Sequence, residues 1–170
     1  MKKLALTVAV LLSANLATGF AAPINDLSQS ETAIGVVMHG SDIDSDSFYI
    51  EHKLSNNFTL GLQNTDFDYG GDATDLYGQV NLNNNLRAII GNRDYDSGNK
   101  FYLGMAVNAP LAPQLDGYAS LIGGSNFKEL QVGANYQLTR NVDFNLNYRS
   151  IMPDHGSNND GLGFGATFKL

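Results

Sequence analysis

Lys53, Arg87, Asp116 and Asp143 each stand one residue from a large apolar residue at the edge of a short polar run: Leu54, Leu86, Leu115 and Val142. Two are basic and two acidic, so a fold that brings them to one level can pair them. Shut away from water, such charges need one another, because an unpaired ion in a low-dielectric interior is costly. Left open to water, the same ring would select passing ions by sign. Arg149 and Lys169 share the alternation of this set and belong with it. A second group is acidic and lies in loop-like stretches, Asp42, Asp44, Asp46, Asp66, Asp68, Asp72, Asp75, Asp94, Asp96, Asp154 and Asp160 among them. Asp42, Asp44 and Asp46 have the carboxylate spacing that a hard cation asks for. The glycine such a loop requires is replaced by Ser47, however, and the bidentate position falls on Lys53, so neither metal nor cofactor is expected. His155-Gly156-Ser157-Asn158 sets an imidazole two residues from a hydroxyl, with Asp160 the only acid that follows.

Four turns fix the elements that must position these groups. They are Leu54-Ser55-Asn56-Asn57-Phe58, Leu82-Asn83-Asn84-Asn85-Leu86, Leu111-Ala112-Pro113-Gln114-Leu115 and Leu138-Thr139-Arg140-Asn141-Val142, with successive leucines 28, 29 and 27 residues apart. The residues between are polar or turn-forming, and apolar/polar alternation runs outward on both sides of each turn. Leu130, Val132, Ala134, Tyr136 and Leu138 alternate with Gln131, Gly133, Asn135 and Gln137. Phe101, Leu103, Met105, Val107 and Ala109 alternate likewise with Tyr102, Gly104, Ala106 and Asn108. A helical period fits none of these stretches. The spacing predicts ten strands, near 32–40, 46–54, 58–67, 74–82, 86–94, 100–109, 115–123, 128–138, 142–151 and 160–170. Strand–turn–strand units repeated in this way define an all-β fold, a ten-stranded antiparallel up-and-down transmembrane β-barrel.

One face of these strands is apolar. The other carries Glu51, Lys53, Gln63, Arg87, Arg93, Gln131, Asn135, Asp143, Asn145, Asn147, Arg149 and Lys169, with glycines that make room for Tyr77, Tyr102 and Tyr118. In a membrane barrel the polar face lines the lumen. In a soluble periplasmic lipid-binding barrel the faces swap and the apolar side chains line a cavity. So many glycines and so few lysines suit a lumen better than a water-facing surface. The remaining connections, near 40–45, 68–73, 95–99, 124–127 and 152–159, are longer and richer in Asp, Gly and Ser. Short turns on one side and longer loops on the other match outer-membrane barrels, and an even strand number puts both termini in the periplasm. Phe48, Tyr49, Phe67, Tyr69, Tyr95, Phe101, Tyr102 and Phe127 cluster near the loop ends, as an interfacial girdle does.

Met1-Lys2-Lys3 followed by an apolar stretch and Gly19-Phe20-Ala21 reads as a leader over residues 1–21. Residues 22–31 then form a short N-terminal periplasmic segment, a polar lead-in, and residues 32–170 the barrel. Lys2 and Lys3 belong to the leader, which leaves eight basic residues against 17 acidic ones. That balance argues against nucleic acid as a partner. Cysteine is absent, which removes disulfides and thiolate metal sites.

Three resemblances add to this reading. Gly117-Tyr118, Gly123-Gly124, Glu129, Gly133, Val142 and Tyr148-Arg149-Ser150-Ile151 make residues 118–151 similar to the YfaZ family of small outer-membrane proteins, which implies the architecture and carries no activity. The final strand, with Phe164, Phe168 and Leu170 on its apolar face, resembles the C-terminal signal read by the outer-membrane barrel assembly machinery; that signal ends in phenylalanine and this chain in leucine. His155-Gly156-Ser157-Asn158 resembles the His-x-Ser-Asn segment of outer-membrane lipid A deacylases, in which histidine activates serine against an ester. Those enzymes follow the pair with an orienting glutamate, and none follows Ser157. The sequence therefore points to a small outer-membrane barrel without enzymatic activity, its role structural or interactive and its lumen filled or very narrow. Its partners are outer-membrane lipid, lipopolysaccharide and the assembly machinery. A lipid A-modifying esterase and a narrow solute channel are the alternatives.

Overall fold

Residues 22–68, 71–95 and 98–170 are described by the structure, a computed structural model; the expected leader over residues 1–21, Tyr69 and Asp96 lie outside the described residues. Ten strands follow one another: β1 (Thr32–Ser41), β2 (Ser45–Ser55), β3 (Phe58–Phe67), β4 (Gly71–Asn81), β5 (Leu86–Tyr95), β6 (Gly98–Ala112), β7 (Leu115–Gly124), β8 (Phe127–Gln137), β9 (Val142–Pro153) and β10 (Asn159–Lys169). Each pairs antiparallel with its sequence neighbour, and β1 closes the ring on β10, with Ala33 opposite Lys169 and Gly40 opposite Leu162. Thr32 and Leu170 exchange backbone hydrogen bonds of 3.0 and 2.8 Å at the seam. The fold is the closed, all-antiparallel ten-stranded barrel that the repeat predicts.

Two turns close as the leucines forecast: the Leu82 and Leu138 amides donate to the Leu86 and Val142 carbonyls, both at 2.9 Å. The other two carry bulges, between Lys53 and Ser55 and between Pro110 and Ala112. Pro110 has the parity of Asn108, whose amide points toward β5, so its missing N–H falls on the side where β5 has already ended and takes no bond from the β6–β7 ladder. β6 absorbs the irregularity by extending to Ala112, beyond the predicted edge.

Burial runs opposite to that of a water-soluble protein. Leu76, Leu103, Leu146, Leu162 and Phe164 on the outer face are between 55 and 66% exposed, whereas Glu51, Gln63, Arg93, Gln131 and Arg149 inside are 1% or less. The soluble lipid-binding alternative needs an apolar interior, and this interior is polar. Four inward tyrosines lie across glycines on the neighbouring strand: Tyr49 over Gly35, Tyr77 over Gly61, Tyr102 over Gly91 and Tyr118 over Gly133. A Cβ at Gly133 would come within 2.6 Å of the Tyr118 ring, so only glycine lets the ring lie flat on the wall.

Candidate functional site in the barrel lumen

The segment before β1 does not lead away from the barrel; it turns into it. Ser28 and Glu31 make a tight turn, with the Ser28 amide donating to Glu31 Oε2 at 2.7 Å. Backbone bonds of 2.8 and 3.0 Å then tie Ser30 and Glu31 to Lys53 at the end of β2. Ala22, Ile24, Asn25 and Leu27 are 5% exposed or less, enclosed at the short-turn end of the lumen. The predicted polar lead-in is thus an internal stopper.

Asn25 is its centre. Its Nδ2 donates to Glu51 Oε2 at 2.8 Å, and its Oδ1 accepts from Thr167 Oγ1 at 3.4 Å. Its backbone carbonyl accepts from Arg87 Nη1 at 2.6 Å, and the Ile24 carbonyl accepts from Asn135 Nδ2 at 3.0 Å. The other oxygen of Glu51 accepts from Tyr77 Oη at 3.0 Å and Gln79 Nε2 at 2.7 Å. β2, β4, β5, β8 and β10 therefore each send a side chain to this end of the lumen. These bonds meet the buried backbone polar groups of a segment that belongs to no sheet.

Nearer the long loops a second network crosses the interior. Arg93 Nε donates to both Asp75 oxygens at 2.9 Å, and its Nη1 to Glu129 Oε2 at 2.6 Å. Glu129 Oε1 accepts from Arg149 Nε at 2.9 Å. All four side chains are 1% exposed or less. The guanidinium of Arg93 lies 4.9 Å from the Phe127 ring centre and 5.8 Å from that of Tyr102; that of Arg149 is 5.9 Å from Phe67. A polar chain runs from His39 to the stopper's partner Asn135: His39 to Asn147 at 2.9 Å, Asn147 to Asn145 at 2.7 Å and Asn145 to Asn135 at 2.7 Å.

The six predicted lumen charges do not meet as one ring. Arg87 reaches the stopper, including Asp26 at 3.4 Å, because that segment fills the space across which it was to find an acid. Asp143 pairs with Lys169 at 2.7 Å on the adjacent strand. Arg149 belongs to the Glu129 network, Lys53 is buried beside the stopper turn, and Asp116 is exposed at the mouth. Sequence reasoning missed Glu129 as the hub and assigned Asp75 to the outer loops. The signal for Glu129 was its parity with Gln131, and for Asp75 its parity with Tyr77 and Gln79. The expected girdle is corrected too: Phe48 and Phe101 face outward, 52 and 56% exposed, but Tyr49, Tyr102 and Phe127 point into the lumen.

His155 and Ser157 lie exposed in the β9–β10 connection, with no hydrogen bond between them among the described residues. Asp160 lies within the predicted edge of the last strand, in β10 opposite Ser150, and accepts the Ser150 hydroxyl rather than an imidazole. Phe164, Phe168 and Leu170 stand on the outer face, 55, 55 and 73% exposed.

A closed ring of ten strands, apolar outside and polar within, is a transmembrane β-barrel of the small outer-membrane type. Among solved structures the chain is similar to the KdgM porin, at 13% identity and TM-score 0.50, over 81% of this chain and 98% of that one. The KdgM porin in complex with disordered oligogalacturonate matches at 11% identity and TM-score 0.50, over the same shares. The N-terminal β-barrel domain of Pseudomonas aeruginosa OprF matches at 14% and 0.48, over 85% of this chain and 100% of that one. At such identities the likeness is one of fold. No family model and no curated protein matches the chain.

Proposed function

We propose that the protein is an integral outer-membrane barrel with a structural or interaction role and a lumen that its own residues close. The observation that carries this is the packing of Ala22, Pro23, Ile24, Asn25 and Leu27 inside the ring, held by Glu51, Arg87, Asn135 and Thr167. The Asp75–Arg93–Glu129–Arg149 network closes the other half. In this reading the leader is removed after Ala21 and both termini face the periplasm. The acidic loops face lipopolysaccharide, and the last strand with Phe164, Phe168 and Leu170 addresses the assembly machinery. The residues shared with the YfaZ family support placing the chain beside those small barrels. His155 and Ser157 take no catalytic part, since Asp160 is engaged by Ser150 and Asp154 by Lys128. Planar-bilayer recordings test the proposal. The purified protein is expected to show no steady conductance. A stable open channel whose ion preference changes with Arg87→Ala would make it a narrow solute channel instead.

A further inference from the structure

The outer wall is not evenly convex. β5 begins at Leu86, opposite Val107, but β6 continues for five more residues to Ala112. The β4–β5 turn therefore ends part-way down the β6–β7 hairpin and is stitched to its side: Asn85 Nδ2 donates to the Asn108 carbonyl at 2.7 Å and the Asn108 amide to the Asn85 carbonyl at 2.9 Å. Below that step a notch of about 430 Å³ opens in the outer face, walled by Val107, Leu111 and Val132, with Ala109 and Ala119 on its floor and Asn83 at its rim. Val107, Ala109 and Ala119 have outward parity yet are 8, 7 and 8% exposed, whereas Leu103 and Met105 on the same strand are 56 and 41%. Gly117 deepens one side, since a Cβ there would meet Leu111 Cδ1 at 2.7 Å.

We propose that this notch is a binding site for one phospholipid, an acyl chain lying along Ala109 and Ala119 and the headgroup phosphate accepting from the side-chain Nδ2 of Asn83. The notch is continuous with the surface that faces hydrocarbon. Its apolar floor offers a water none of the two to four polar partners that hold one, so an acyl chain is the occupant that matches it. The notch lies at the short-turn end, which the proposed topology places in the periplasmic, phospholipid-bearing leaflet. Asn83 sits at the edge, where a headgroup would be.

Native mass spectrometry of the purified barrel in dodecyl maltoside micelles doped with phosphatidylethanolamine tests this. One phospholipid per barrel is expected. The bound fraction should fall by roughly tenfold in Ala109→Leu/Ala119→Leu, the ratio that a clash of about 1.4 kcal/mol produces. Ala166→Leu, on β10 away from the notch, should keep the lipid. Should the double variant fail to fold, Ala119→Val carries the same comparison in milder form. Absence of bound lipid, or equal retention by the filled variants, would overturn the proposal. A dimer that vanishes on filling would overturn it in favour of a second copy, and selective retention of added lipopolysaccharide in favour of the other leaflet. The site rests on the membrane reading, which is judged separately: a soluble protein with no band shift between unheated and boiled samples refutes that reading, whatever the lipid result.

Discussion

Glu129→Gln is the sharpest probe of the interior. The substitution keeps the shape and one carbonyl acceptor but removes the charge that Arg93 and Arg149 share, across bonds of 2.6 and 2.9 Å. Arg93 retains Asp75, which accepts two bonds of 2.9 Å from its Nε. Arg149 retains no ion pair among the described residues, and its side chain is 1% exposed. Hydrogen bonds to charged groups contribute about 1.5–3 kcal/mol each, and stranding one buried partner of an ion pair costs about 3–5 kcal/mol. Both routes give a loss of between about two and four orders of magnitude in the folding constant. Urea titrations of the refolded barrel in lipid vesicles, followed by the difference in migration between folded and unfolded protein, measure it. Glu129→Gln/Arg149→Met removes the stranded charge and should recover part of the loss, so the two sites should be strongly non-additive. Lys128→Ala, which breaks a half-exposed contact of 3.8 Å to Asp154, should cost about 0–1 kcal/mol. If Glu129→Gln costs no more than Lys128→Ala, the hub carries no stability and the argument for a closed outer half fails.

Met105→Arg and Val132→Arg place a charge on the outer face and should destabilise by about 2–4 kcal/mol if they lie near the midplane, in the same titrations; a negligible cost would put those residues in water. Gly133→Val drives a side chain into the Tyr118 ring and should cost about 1–3 kcal/mol, less when Tyr118→Ala vacates the space. His155→Ala and Ser157→Ala should each shift stability by under about 0.5 kcal/mol, and expression of the unaltered protein should leave the mass spectrum of lipid A unchanged. Loss of an acyl chain on expression, abolished by Ser157→Ala, would make the protein an esterase.

The ring was legible because each strand has two faces and parity alone separates them. Gln131 beside Val132, or Asn145 beside Leu146, needs no tertiary knowledge to be assigned inside and outside. The tyrosine–glycine partners followed from the same rule, and applying it to Tyr49 and Tyr102 would have removed them from the girdle. Pairing across the lumen was not legible. Which inward charge meets which depends on the stagger of the strands around the closed ring, and no local spacing encodes it. Arg87 was expected to find an acid on another strand and finds a backbone carbonyl of Asn25. Residues 22–28 lack any period that would mark them as interior, so the group that rearranges the whole short-turn end left no pattern to read.

The placement of the stopper has a consequence for assembly. Its turn at residues 28–31 is bonded to Lys53, and the next residue, Thr32, makes the seam with Leu170. The segment that closes the lumen and the strand that closes the ring are thus consecutive, with no free linker between them. Zipping β1 onto β10 fixes the point from which the stopper re-enters the barrel, so the wall and the stopper share one anchor at the seam.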